Sequence, residues 1–399
     1  MAHKAQSALP ISAPTSLLTP IKVPQRLLMG PGPSNASPRV LAASALPLLG
    51  HLHKEFLDVM DEIKEGLRYI FQTNNSLTIA ISGTGHAAME AAIANVVERN
   101  DKVLVAVNGL WGARVFDLSS RYGAKVTTIK KPVGQVFTLE EIEEGLIRDK
   151  PKLFFITHAE SSATVLQPLE GIGRLCHKHN CLLLVDTVAS LGGIPIKVDE
   201  LEIDIVYSGA QKCLSSPPGA SPISFSPRAW DKVKNRKTKV ESFYFDLIQL
   251  ANYWGVDDQP RRYHHTGPIS SFYALREGIS ILCNEGLENS WRRHKENSEL
   301  LWNELQKLGL ELYVKKKIAR LPTVTAVNVP NGINWKEVAT FIMQKYNLEI
   351  SGGLGETAGK VWRIGLMGYN CTKENVQLIT AAMYDALQQQ RQGSVKSSL

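Results

Sequence analysis

The chain reads as an α/β protein. Along most of its 399 residues, short apolar segments of strand length alternate with longer segments of helical period. The strand segments are apolar on both faces, as parallel strands covered by helices are. Near residue 275 the pattern changes, which predicts a large domain followed by a smaller α+β one, a division this length accommodates.

Residues 1 to 38 hold seven prolines and no apolar period, so residues 1–29 are expected to form an extended arm. A helix follows over Phe56 to Phe71, where Phe56, Val59, Met60, Ile63, Leu67 and Ile70 keep helical spacing. The expected strands are Leu77–Ile81, Lys102–Val107, Lys125–Ile129, Lys152–Thr157, Cys181–Val185 and Ile203–Ser208. Helical stretches lie between them at Ala87–Val97, Trp111–Tyr122, Leu139–Ile147 and Leu169–His179. These make a large domain over 30–275. The small domain, 276–399, is expected to carry a helical region over Ser271–Leu308, strands near Leu310–Val314, Thr323–Val329 and Val361–Leu366, and helices at Trp335–Lys345 and Lys373–Gln390.

Composition excludes several classes. Hydrophobic residues make up 44%, ordinary for a soluble globular chain and far from disorder. The most apolar run, Cys181 to Ile196, is interrupted by Asp186 and two glycines and is too short to span a bilayer, so no membrane partner is expected. The net charge of +7 is concentrated: Lys4, Lys22, Arg26, Arg39 and Lys54 stand in an acid-free stretch of 54 residues. Subtracting these five from the 45 basic side chains leaves 40 against 38 acidic, so the body is nearly neutral and a nucleic-acid face loses its support. Five cysteines in this length do not form a disulfide framework. The cluster Cys176-His177-Lys178-His179-Asn180-Cys181 matches no standard metal spacing, and no metal is expected.

In an open parallel sheet, ligands bind at the carboxyl ends of the strands. Ser82-Gly83-Thr84-Gly85-His86 joins a strand to a helix start, where glycines and free N–H groups favour a phosphate. A dinucleotide would also want an acid at the end of the next strand, but that strand ends in Val107-Asn108-Gly109. Asp186 ends another strand; a buried acid there is either a turn cap or the partner of a cation. Lys212 follows the next strand, in a loop bracketed by Gly209 and Pro217-Pro218-Gly219. A phosphate loop, an acid at one strand end and a lysine at the next suit pyridoxal phosphate. That cofactor needs a lysine amine for its Schiff base, an anion at the pyridine nitrogen and a phosphate cradle. Trp111 could cover the pyridine face.

Gly30-Pro31-Gly32-Pro33-Ser34, Ser208-Gly209-Ala210-Gln211-Lys212, Tyr263-His264-His265-Thr266, Arg320-Leu321-Pro322-Thr323-Val324 and Ser351-Gly352-Gly353-Leu354-Gly355 together resemble the alanine-glyoxylate (serine-pyruvate) aminotransferases of class V. The resemblance runs from about residue 20 to 390. It implies fold type I, with a mainly parallel seven-stranded sheet in the large domain, and pyridoxal 5'-phosphate as cofactor. It implies that Lys212 forms the Schiff base and moves the substrate Cα proton, that Asp186 pairs with the pyridine nitrogen, and that Trp111 stacks on the ring. Thr84, Gly85, His86, Ser161 and Gln211 would cradle the cofactor, while Tyr263 and Thr266 would reach the phosphate of a neighbouring subunit, which implies a homodimer with shared sites. Arg363 would clamp the substrate carboxylate, and Gly32, Gly50 and His51 would line the substrate pocket.

The activity so implied is transamination of L-alanine or L-serine with glyoxylate or pyruvate, and hence glyoxylate detoxification; the alternative on the same scaffold is transamination of 3-hydroxykynurenine or kynurenine. Relatives often read Ser-Ser-Thr-Gly where this chain has Ser161-Ser162-Ala163-Thr164, a loss of glycine that bears on backbone freedom beside the cofactor. The ending Ser397-Ser398-Leu399 resembles a peroxisomal address, which predicts a peroxisomal import receptor as partner and the peroxisome as compartment. The acid-free N-terminus is the mitochondrial alternative, although its prolines spoil an amphipathic helix.

Overall fold

The computed structural model describes residues 11–396, with the backbone alone for 392–396. The first ten residues of the expected arm and Ser397-Ser398-Leu399 lie outside the described residues.

The described part of the arm is open to solvent, with Ile11, Leu17, Leu18, Ile21 and Val23 all exposed. It ends in β1 (Leu27–Leu28), followed by α1 (Pro38–Ser44), α2 (Lys54–Phe71), β2 (Leu77–Gly83), α3 (Gly85–Val96), β3 (Lys102–Val107), α4 (Leu110–Arg121), β4 (Lys125–Lys130) and α5 (Leu139–Asp149). Next come β5 (Leu153–Thr157), the hairpin of β6 (Ala159–Glu160) and β7 (Val165–Leu166), then α6 (Ile172–Lys178), β8 (Leu182–Asp186), β9 (Ile205–Tyr207), β10 (Gly219–Phe225), α7 (Pro227–Lys234) and α8 (Leu247–Tyr253). The chain closes with α9 (Ile269–Glu285), α10 (Leu287–Lys307), β11 (Val324–Asn328), α11 (Trp335–Tyr346), β12 (Leu348–Glu349), β13 (Ser351–Gly352), β14 (Val361–Gly365) and α12 (Lys373–Lys396).

Seven strands form one sheet in the order β2-β10-β9-β8-β5-β3-β4. All run the same way except β10, which is antiparallel to both of its neighbours. The expected mainly parallel sheet is present. Its antiparallel member did not show in the sequence, because Gly219-Ala220-Ser221-Pro222 reads as a loop. Pro222 sits opposite Ala80 in the register, at a position where its carbonyl still accepts from Ser208 N–H, so the missing donor is tolerated.

Two large hydrophobic cores, with two smaller clusters beside them, hold the described residues together. Helix α2 buries Phe56, Met60, Ile63, Leu67 and Ile70 on a stripe that follows its 3.6-residue period. It crosses α9 so closely that a side chain at Gly66 would strike Ile279. The second core gathers Leu301, Trp302, Trp362, Ile364, Val376 and Ile379, and takes Met29 from the N-terminal side. The boundary expected at residue 276 falls inside α9, whose Ile279 and Leu282 pack with the large sheet's core, as does Leu287 just beyond. The expected single helical region over Ser271–Leu308 breaks at Gly286, where φ is +81°, a conformation suited to glycine. The strand expected at Leu310–Val314 is reduced to one bridge, Leu312 opposite Val327.

Candidate active site

One end of the sheet collects most of the residues singled out above. The parallel strands β2, β3, β5, β8 and β9 all deliver their carboxyl ends there. They present in turn the loop at Gly83 to His86, the start of α4 with Trp111, the hairpin residues Glu160 and Ser161, Asp186, and the loop carrying Gln211 and Lys212.

Asp186 is buried. Its Oδ2 accepts from the Tyr207 hydroxyl at 2.6 Å and its Oδ1 from Val188 N–H at 2.8 Å. Asp186 and Tyr207 are register partners on β8 and β9. Burial lifts the carboxyl to about 6, against these hydrogen bonds and nearby Lys212. Lys212 is moved the other way: burial, reinforced by Arg363 and opposed by Cys213 and Asp186, lowers its amine to about 8. Its Nζ donates to the carbonyl of Pro31. Gly32, at φ +108°, packs so tightly on this side chain that a Cβ would come within 2.6 Å of Lys212 Cδ, so Gly32 does lie against the lysine.

The Trp111 indole donates from Nε1 to Ser161 Oγ at 3.0 Å, and its ring meets His86 edge-on at 5.6 Å. His86 is lowered by burial and then by Arg114, which favours a neutral imidazole. Arg363 is buried. Its Nε donates to Gly352 carbonyl at 2.8 Å and its Nη1 to Ser161 carbonyl at 3.2 Å.

The Lys212 loop is also tied to the small domain through the turn after β14. Gly368 takes φ +54°, and a Cβ there would come within 2.6 Å of the Cys213 carbonyl oxygen. Gly368 N–H donates to His294 Nε2 at 2.9 Å and Tyr369 N–H to Ser215 Oγ at 2.8 Å. Arg293 donates to the carbonyls of Gly368 and Cys371 at 2.9 Å each.

Tyr263, Thr266 and His51 form a separate group. The Tyr263 hydroxyl meets Thr266 Oγ1 at 3.5 Å and the His51 and Tyr263 rings lie 5.0 Å apart. Gly50 packs on His53. Among the described residues, no hydrogen bond or ring contact joins this group to Lys212, Asp186 or Trp111; it connects to the β2 edge through His265, which meets Ser82 Oγ at 2.6 Å. Tyr263 and Thr266 are exposed, as residues facing another chain would be.

Two groups at this end were not named from the sequence: Tyr207, which holds Asp186, and Glu160, whose buried carboxylate is lifted to about 7 by burial. The available signal for Glu160 was an acid three residues past a strand that is apolar up to its final Thr157, at the same end of the sheet as Asp186.

This end of the sheet fits pyridoxal phosphate. Helix α3 opens without a side-chain cap, leaving first-turn N–H groups for an anion. Gln211 Oε1 is buried without a partner. Gly85 brings the helix start close to Gly209, with 3.8 Å from a built Cβ to that Cα, and Asp186 and Lys212 lie near enough to perturb each other.

Fold and site together define a pyridoxal-phosphate-dependent aminotransferase of fold type I. Residues 39–379 match the family profile of class-V aminotransferases, and the chain belongs to that family. It is 55% identical over 384 residues to the alanine–glyoxylate aminotransferase of Callithrix jacchus, covering 96% of this chain and 93% of the relative. It is 38% identical to the (S)-ureidoglycine–glyoxylate transaminase of Bacillus subtilis, covering 90% of each. The crystal structure of an alanine–glyoxylate aminotransferase from Nostoc sp. superposes with a TM-score of 0.91 at 50% identity, covering 94% of this chain and all of that one.

Proposed function

We propose that the protein transfers the amino group of L-alanine or L-serine to glyoxylate or pyruvate. The observation that carries this reading is Arg363, a buried guanidinium that donates only to backbone carbonyls and has no carboxylate in ion-pair contact among the described residues. Glu160 favours its charge without touching it; a buried cation without a counter-ion in contact is unfavourable, and a substrate carboxylate, held by a two-pronged pair, would relieve it. Among the described residues at this end of the sheet, Arg363 is the one buried guanidinium so placed, which suits monocarboxylic substrates. Glyoxylate is named as acceptor for relatives at 55% and 38% identity, while the named donor differs between them, so the acceptor is the better supported partner.

Pyridoxal phosphate, when bound, supplies an electron sink for negative charge developing at the substrate Cα. The chain's own residues do the rest. Lys212, with its amine lowered to about 8, is suited to take a proton from that Cα and return one near neutral pH. Asp186 would hold the cofactor's ring nitrogen protonated. Trp111 would cover one ring face, while the N–H groups of Gly85 and His86, with Thr84, Ser161 and Gln211, would hold the phosphate end. Gly32 closes the space beside Lys212, and Arg363 orients the substrate so that the Cα proton faces the amine.

A homodimer completes this reading. Tyr263 and Thr266, with Gly50 and His51 nearby, would serve the site of a second copy; exposed Ile11, Leu17, Leu18 and Ile21 on the arm offer apolar surface for it to cover. The peroxisome, reached through an import receptor reading Ser397-Ser398-Leu399, is proposed as the compartment, in keeping with glyoxylate removal.

Steady-state rates with alanine, serine and 3-hydroxykynurenine as donors, each against glyoxylate and pyruvate, test the substrate assignment. Alanine with glyoxylate should be fastest. A kynurenine outpacing alanine would overturn it. A fluorescent fusion with and without Leu399 would test the address.

A further inference from the structure

We propose that Glu160 is a positioning residue: its buried carboxylate sets the plane of the Trp111 ring and, through the Ser161–Ser162 segment, the reach of Arg363. The proposal rests on the reading of Trp111 as cofactor wall and Arg363 as substrate clamp.

Glu160 is 1% exposed, and among the described residues no cation makes an ion pair with it. What it meets instead are donors from two segments. Its Oε1 accepts from Ser162 N–H at 2.9 Å and Ser162 Oγ at 2.5 Å, and its Oε2 accepts from Trp111 N–H at 3.1 Å. Ser162 Oγ in turn accepts from Leu110 N–H at 2.9 Å. The first two N–H groups of α4 therefore end on this one carboxylate, directly and through a hydroxyl, where the preceding Gly109 supplies no cap.

Ser161 lies between. Its hydroxyl accepts from the Trp111 indole and its carbonyl from Arg363. The tryptophan is thus held at both ends, backbone nitrogen by Glu160 and ring nitrogen by Ser161, on a segment that also carries the arginine. Turning the ring or shifting the segment would strand buried donors, which holds the arrangement stiff. The group has to be a carboxylate: it meets three donors, and an amide offers one accepting oxygen while its NH₂ would face a donor in either orientation. Gly109 leaves room for it, since a Cβ at that position would sit 2.5 Å from Glu160 Cγ.

The test uses the full chain loaded with pyridoxal phosphate, reading the visible circular dichroism of the bound cofactor and the dissociation constant from titration of cofactor-free protein. Glu160→Gln is expected to lose much of the dichroic band per bound cofactor and to bind it about tenfold more weakly. Ser162→Ala should give a smaller change of the same kind, and the double variant should be no worse than Glu160→Gln alone, as members of one network behave. Should Glu160→Gln not fold, Gly109→Ala pushes the carboxylate aside without altering its chemistry and should reproduce the dichroic change.

An unaltered band and dissociation constant in folded Glu160→Gln, or additive effects of the two single changes, would overturn the proposal while leaving the site reading intact. Loss of melting temperature with an unaltered band in the folded fraction would overturn it too, as a purely structural role predicts. Failure of the wild-type protein to take up the cofactor would instead bring down the reading on which it rests.

Discussion

Replacing Asp186 by asparagine is expected to stabilise the cofactor-free protein while abolishing transamination. Burial lifts this carboxyl from the ordinary 3.8 to about 6. At about 1.4 kcal/mol per pH unit, holding it ionised at about pH 8 costs roughly 3 kcal/mol relative to an exposed acid. The sign follows from proton binding: the folded chain takes up this proton more readily than the unfolded one. The penalty is therefore absent below the unfolded value of 3.8, grows up to about 6, and is constant above. Asparagine matches the size and can keep both contacts, its carbonyl accepting from Val188 N–H and its amide donating to a rotated Tyr207 hydroxyl. Calorimetry of cofactor-free protein at about pH 8 should show a gain of up to roughly 3 kcal/mol, a few degrees in melting temperature. Near pH 4 the gain should shrink to roughly a fifth of this. Equal melting temperatures at the higher pH, or a gain that persisted in full at the lower, would refute the reasoning. With pyridoxal phosphate in excess the order should reverse, because binding stabilises the wild type and the variant holds the ring nitrogen poorly.

Lys212→Ala should lower turnover with alanine and glyoxylate by about a thousandfold or more, the range expected when a proton-transfer group is lost; residual rates near wild type would sink its role. Arg363→Lys should raise KM for donor and acceptor by roughly 10- to 100-fold, since a point charge cannot replace a planar fork, while the bound cofactor's absorption stays as in the wild type. Thr164 occupies φ +56° with a buried hydroxyl that has no partner. Thr164→Gly should raise stability by about 1 kcal/mol by chemical denaturation, strain relief and the removed hydroxyl outweighing glycine's backbone entropy.

Much of the site was legible because its residues stand at strand ends, where apolar runs stop and glycines begin. Asp186 and Gly83 end their strands and Lys212 sits in the loop that follows β9, and a parallel sheet gathers such ends whatever its strand order. Tyr207 was legible only as a strand residue, because its meaning comes from lying beside Asp186 in the β8–β9 register, and register is not written in either strand alone. Glu160 was hidden in the same way: its partners Trp111 and Ser162 come from different segments. The antiparallel β10 was masked by Pro222, and the break at Gly286 by apolar spacing that continues through it. Among the described residues, Tyr263 and Thr266 make no hydrogen bond or ring contact with Lys212, Asp186 or Trp111 within one chain, and the role proposed for them comes only from resemblance.

The turn at Gly368 has a consequence for what the enzyme measures. It follows the strand of Arg363 by three residues and is bonded to the loop of Lys212 through Ser215, with His294 and Arg293 locking its other side. The group read as gripping a substrate's carboxylate and the group read as working on its amine-bearing carbon are thereby fixed to one rigid joint. Their separation becomes a gauge of length. On that reading the site is set for a 2-amino acid; a substrate with one more carbon between carboxylate and amine would present the wrong atom to Lys212, however well each end was bound.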